Sequence, residues 1–164
     1  AYLNQHFAIE ANDFFIFFHF EIPDYPIKND PVKNWNIESV RQWLDYRNQA
    51  NEACFYLANH LNKEAEIRIW PHHFDTGIYL ELNKKIGVGF GLAMADSMIN
   101  KPYYYFSAYG LNGAKLNYSK MPKLSSGEWI TGEHFNGAVL KLSKAKTPQV
   151  ILFLKETTAG AVAM

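Results

Sequence analysis

Residues 76–92 carry a pattern that a tight antiparallel ribbon satisfies and few other structures do. Residues 76–82 alternate in character, Asn83-Lys84-Lys85 supplies a polar turn, and 86–92 alternates again. Strand side chains point to opposite faces with a period of two, so the length of the turn decides which residues meet. Placing Leu82 opposite Ile86 also sets Leu80 against Val88, Ile78 against Phe90 and Thr76 against Leu92, a face fit for a core. The other face then holds Glu81 beside Gly87, Tyr79 beside Gly89 and Gly77 beside Gly91. A glycine inside a strand costs backbone entropy and offers nothing to pack. Such a bare track calls for something to lie on it: a helix, an aromatic ring or a ligand.

Chemistry-bearing residues gather where this ribbon begins. Trp70-Pro71-His72-His73-Phe74-Asp75 puts two imidazoles and a carboxylate side by side, groups able to move a proton, hold a metal or orient a polar ligand. If the strand starts that early, its parity sends Asp75 and His73 to the glycine side, and His72 and Phe74 to the core side. Asp96, just beyond the glycine strand, is placed to return near Asp75. In the run Tyr103-Tyr104-Tyr105-Phe106, Tyr103 and Tyr105 share one face, and their rings can wall the glycine floor.

The candidate site is therefore His73, Asp75 and Asp96 for acid–base chemistry, with Gly77, Tyr79, Gly89, Gly91, Tyr103 and Tyr105 for ligand contact. His72 reads as a hydrogen-bonded core histidine, and Glu133 and His134 as a solvated loop. The spacing fits no dedicated metal signature such as His-Glu-x-x-His, so a metal is neither assigned nor excluded. Gly-Val-Gly-Phe-Gly lacks the spacing of a dinucleotide fingerprint, and no phosphate loop or nucleophile elbow is present. The cofactor is unknown.

Elsewhere the elements read in order. Residues 13–21 are dense in aromatics on both faces, as in a strand covered on both sides or one at a subunit contact. Pro23, Pro26 and Pro31 then mark a loop. Asn36 can cap a helix over 37–62, in which Ile37, Val40, Leu44, Arg47, Cys54, Leu57 and Leu61 form a stripe and alanines allow close approach to a sheet. Residues 66–69 begin the strands, and 138–142 is a later strand candidate. Thr147-Pro148 opens a short helix over 148–160, with Gly160 fraying its end. The expectation is an α+β domain over 1–164: an antiparallel sheet of about five to seven strands with both helices mainly on one face.

Bulk properties narrow the function classes. Lys+Arg and Asp+Glu balance at 16 each among 164 residues, so no global field draws the chain to nucleic acid or an anionic membrane. The longest apolar-rich run, 14–20, is interrupted by His19 and is far below the roughly 18–20 residues a membrane-spanning helix needs. No secretory signal surrounds Ala1. The single cysteine, Cys54, fits a reducing, cytoplasmic setting. The expected partner is a small molecule; a homodimer through the 14–20 strand is the other partner considered.

Trp70 through Asp75, then Gly87-Val88-Gly89-Phe90-Gly91 with Asp96, Lys101-Pro102-Tyr103-Tyr104-Tyr105, and Phe135-Asn136-Gly137-Ala138-Val139-Leu140 form a succession over about 67–164. It resembles a bacterial family of uncharacterised proteins, a domain of unknown function with a similar Trp-Pro-His-His-Phe-Asp segment. Ala93-Met94-Ala95-Asp96 departs from the Ser-Pro-Gly-Asp expected there. The resemblance implies a shared architecture and supplies no reaction. Two functions follow from the residues: a module binding a small polar or aromatic ligand over the glycine floor, or a hydrolase or isomerase. In the latter, Asp75 or Asp96 serves as base and His73 as acid.

Overall fold

The computed structural model describes residues 36–70, 74–142 and 147–164. These belong to one compact unit, Trp35–Met164. The aromatic segment 13–21, the proline loop after it, and His72 and His73 lie outside the described residues. So does the first part of the domain expected over 1–164.

Helix α1, Ile37–His60, starts where Asn36 Oδ1 accepts the backbone N–H groups of Glu38 (3.1 Å) and Ser39 (3.2 Å). This satisfies two of the donors that a helix start leaves open. It ends two residues before the expected 62, because Asn62 takes a left-handed backbone (φ 49°). The Lys63 N–H then bonds the Ala58 carbonyl and the Asn62 N–H that of Asn59, a C-terminal closure that stops the helix. The buried stripe is shorter than expected. Ala50, Ala53, Cys54, Leu57 and Ala58 are buried, whereas Ile37 is 60% and Leu44 47% exposed. Small residues and Leu57 of the second half, not Ile37 and Leu44 of the first, bring the helix onto the sheet.

The strands are β1 (Arg68–Trp70), β2 (Asp75–Asn83), β3 (Ile86–Ala93), β4 (Tyr103–Gly110), β5 (Glu128–Thr131) and β6 (Asn136–Lys141). They form one six-stranded sheet in the order β1-β2-β3-β4-β6-β5, antiparallel throughout. Between β2 and β3 the pairs Leu80/Val88, Ile78/Phe90, Thr76/Leu92, Glu81/Gly87, Tyr79/Gly89 and Gly77/Gly91 are those expected from the alternation. The turn itself differs. Asn83, not Leu82, pairs with Ile86, after an irregularity between Glu81 and Asn83. Asn83 Oδ1 accepts the N–H groups of Lys85 (2.8 Å) and Ile86 (3.1 Å), which draws Asn83 into the ladder and leaves Leu82 as the extra residue.

The two sheet faces have different fates. Ile78, Leu80, Val88, Phe90, Leu92, Tyr104, Phe106, Ala138 and Leu140 form one core with the buried residues of α1 and of helix α2, Thr147–Val162. Within it Phe90 and Tyr104 stack at 5.8 Å, 3° from parallel. Both helices therefore cover the same face, in the expected α+β arrangement. Gly160 does not fray α2. It is buried inside the helix, and a Cβ there would stand 2.8 Å from Met121 Cε and 3.3 Å from the Trp129 ring. The loop before β5 is tied to α2 by Ser125, whose N–H and hydroxyl donate to Glu156 (2.8 and 2.6 Å). Among the described residues no helix is long and apolar enough to cross a membrane.

Candidate functional site

The face away from the helices holds the glycine track. In register across β2, β3 and β4 it presents the rows Gly77-Gly91-Tyr105, Tyr79-Gly89-Ser107 and Glu81-Gly87-Tyr109. Each glycine makes room for a tyrosine ring from another strand of the same face. A Cβ on Gly91 would stand 2.6 Å from the Tyr105 hydroxyl, and one on Gly77 2.7 Å from it. Similarly, Gly87 lies under the Tyr79 ring and Gly89 under that of Tyr109, at 3.3 Å. Tyr79 and Tyr109 meet above β3 as a tilted pair, centroids 6.3 Å apart. Of the three occupants the bare track called for, the floor itself takes aromatic rings.

A cavity of about 680 Å³ opens above this floor. Its base is formed by Gly89, Tyr79, Ser107 and Tyr109; Trp70, Asp75, Ala93, Tyr103 and Tyr105 line it where β2 begins and β3 ends. Asp96 and Met98 reach it from the loop after β3, and His134 and Phe135 from the loop between β5 and β6. Of the ligand-contact residues expected from sequence, Tyr79, Gly89, Tyr103 and Tyr105 line the cavity. Gly77 and Gly91 lie beneath Tyr105 instead, with their role passed to its ring.

Both expected carboxylates are there. Asp75, the first residue of β2, is buried on the glycine side, and the Tyr105 hydroxyl donates to its Oδ2. Asp96 Oδ1 accepts the N–H groups of Met98 (2.8 Å) and Ile99 (2.9 Å), and its own N–H donates to the Ile99 carbonyl (3.0 Å). The Tyr103 hydroxyl donates to Asp96 Oδ2 at 2.6 Å. Asp96 thus shapes its loop as well as the cavity. His73 lies outside the described residues, and strand parity no longer places it. Phe74 adopts φ 56° and breaks the alternation just before Asp75, its N–H donating to the Trp70 carbonyl. Phe74 does turn toward the helix layer, stacking on Trp43 at 5.7 Å, yet it stays 53% exposed instead of joining the core.

Burial and the nearby carboxylates act together on the phenols. Tyr105 and Tyr103 are pushed far above the ordinary tyrosine value by burial first, then by Asp75 and Asp96 respectively. Asp75 also raises Tyr103, so the fields of both acids overlap in the cavity. Tyr109 is raised by burial and by Asp75 against an opposing hydrogen bond with Ser107, and Tyr79 by burial and Glu81. The rings therefore stay neutral donors at physiological pH.

Sequence reasoning missed several lining residues. Ser107 and Tyr109 continue the every-second-residue pattern of Tyr103 and Tyr105, so the signal existed; the strand runs to Gly110, four residues beyond the Tyr103–Phe106 run. His134, expected in a solvated loop, and Phe135 reach the cavity from a turn where no periodicity reports direction. Among the described residues no three His, Cys, Asp or Glu side chains come together to hold a metal ion. No protein-family model, curated protein or solved structure matches the chain significantly.

Proposed function

We propose that the chain is a binding module whose tyrosine-roofed sheet face holds a small ligand with an aromatic or apolar body and a polar end. The observation that carries this is the cavity of about 680 Å³, which lies within the roughly 300–1,000 Å³ typical of small-molecule sites. Its composition supports the same reading. Rings and Met98 supply apolar surface, while Asp75, Asp96 and Ser107 supply a few placed polar groups. In such a site burial of the apolar body provides affinity and the polar groups fix orientation. A cytoplasmic setting belongs to this proposal, supported by Cys54 being the one cysteine of the sequence, which leaves no internal disulfide to form.

Ligand-observed NMR with a fragment set of cationic, neutral and anionic single-ring compounds tests it. The expectation is that some fragments show saturation transfer with the wild type and lose most of it with Tyr79→Ala/Tyr109→Ala. These two rings are 43% and 49% exposed, so their removal should leave the fold intact. Fragments that bind neither form, or both equally well, would overturn the proposal.

A further inference from the structure

We infer that the ligand of this cavity is a planar aromatic of two or three fused rings, lying with its face on the aromatic floor; the inference rests on the binding reading above. A strand side chain ordinarily stands roughly perpendicular to its sheet. Here the rings lie down instead, because the glycines beside them leave the backbone uncovered. A Cβ on Gly89 would stand 3.3 Å from both Cε2 and the hydroxyl oxygen of Tyr109, one on Gly87 2.9 Å from Tyr79 Cε2, and one on Gly91 2.8 Å from Tyr105 Cζ. A tyrosine whose far end comes this close to a neighbouring strand runs along the sheet over its whole length. Gly137 carries the track into β6, where a Cβ would stand 2.7 Å from Ser107 Oγ and 2.8 Å from Phe135 Cζ, so the Phe135 ring lies low as well.

Tyr79, Tyr105, Tyr109 and Phe135 therefore give the cavity a broad, low aromatic floor. A thick or branched body would touch such a floor at a few points. A flat one lies against it over a whole face, and apolar attraction grows with the area covered, to which ring–ring pairing adds. Tyr79 and Tyr109 are 43% and 49% exposed although the backbone lies beneath them, so their outer sides are open to such a partner. A ring slotted between two others needs them about 7 Å apart and parallel, twice a carbon–carbon contact. These two are 6.3 Å apart and tilted by 47°, so the ligand lies over the pair and not between them. Size sets the number of rings. A closed cavity of roughly 150 Å³ accepts one benzene ring, and the space here, about 680 Å³, is several times larger. One ring would leave most of it to water, whereas two or three fused rings cover the floor.

Titration calorimetry on the wild-type chain with three uncharged alcohols tests the inference: benzyl alcohol, 2-naphthalenemethanol and decahydro-2-naphthalenemethanol. The last has the carbon skeleton of the second but is saturated, thicker and no less apolar. The naphthyl alcohol should bind at least about tenfold more tightly than benzyl alcohol, from the area of the added ring. It should also bind at least about threefold more tightly than the saturated alcohol, from ring–ring pairing. Tyr79→Leu/Tyr109→Leu keeps apolar side chains but removes two rings, and should bring the naphthyl and saturated alcohols within about twofold of each other. If that variant does not fold, the three-probe series on the wild type still decides. Saturated alcohol bound as tightly as naphthyl, or benzyl alcohol bound as tightly as naphthyl, would overturn the fused-ring assignment and leave the binding module standing. So would binding of none of the three while single-ring fragments still show saturation transfer. No binding in either experiment would overturn both.

Discussion

At the scale of single residues, the glycines differ in what they permit. A Cβ on Gly91 would lie 2.5 Å from the Thr76 carbonyl oxygen as well as 2.6 Å from the Tyr105 hydroxyl, and backbone cannot yield cheaply. On Gly89 it would meet only the half-exposed Tyr109 ring, at 3.3 Å. Gly91→Ala should therefore destabilise by about 1–3 kcal/mol, the usual cost of overpacking, and loosen the Tyr105–Asp75 contact. Gly89→Ala should cost less than about 1 kcal/mol. Thermal melts of the two variants check this; equal losses would contradict the close β2–β3 approach. Tyr104 gives a pH prediction. Burial raises its phenol to about 12 from an ordinary value of 10.0. The folded state thus holds this proton more tightly than the unfolded chain. Its contribution to stability is complete below the unfolded value and is lost as pH rises from there through about 12. Tyr104→Phe should accordingly move the midpoint of alkaline unfolding upward relative to the neutral-pH stability, and an unmoved midpoint would contradict the burial.

At the scale of elements, α1 divides into an exposed first half and a packed second half. Leu57 is fully buried against the sheet, whereas Leu44 is 47% exposed. Leu57→Ala should cost about 2–5 kcal/mol and Leu44→Ala less than about 0.5 kcal/mol. Asn36→Ala, removing two cap bonds, should cost about 1 kcal/mol. Denaturant titrations separate the three, and a large loss at Leu44 would move the helix contact toward its N-terminus. This division was not legible beforehand. Helical spacing shows which side chains share a stripe, but not how far along the helix a sheet extends to meet it. The hairpin was far more legible, because a period of two allows just two parities and only one puts Ile78, Leu80, Val88 and Phe90 on the same side. Its turn was not, since Asn83 could either stay in the loop or, by accepting two backbone N–H groups, close the ladder. The start of β2 escaped for a related reason. Phe74 takes a left-handed backbone that composition does not announce, and parity cannot be carried through it to His73.

At the scale of the whole unit, one sheet has one face closed by two helices and the other paved with glycine and tyrosine around a cavity. Alternation alone made both faces legible as lists of residues. It could not show that Tyr79, Tyr105 and Tyr109 would fold over their neighbours' glycines, because that depends on register across three strands at once. Nor could it show that the loops carrying Asp96 and His134 would close on one opening. The account predicts that ligand contact is confined to this face. The most direct measurement is a ¹⁵N–¹H amide spectrum of the chain titrated with a single-ring fragment that shows saturation transfer with the wild type. Shift changes should concentrate at Gly89, Ser107, Tyr109, Asp96 and Phe135 and be absent from Ala50, Leu57 and Leu154. Changes concentrated on the helix-covered core, or spread evenly over the fold, would contradict the account.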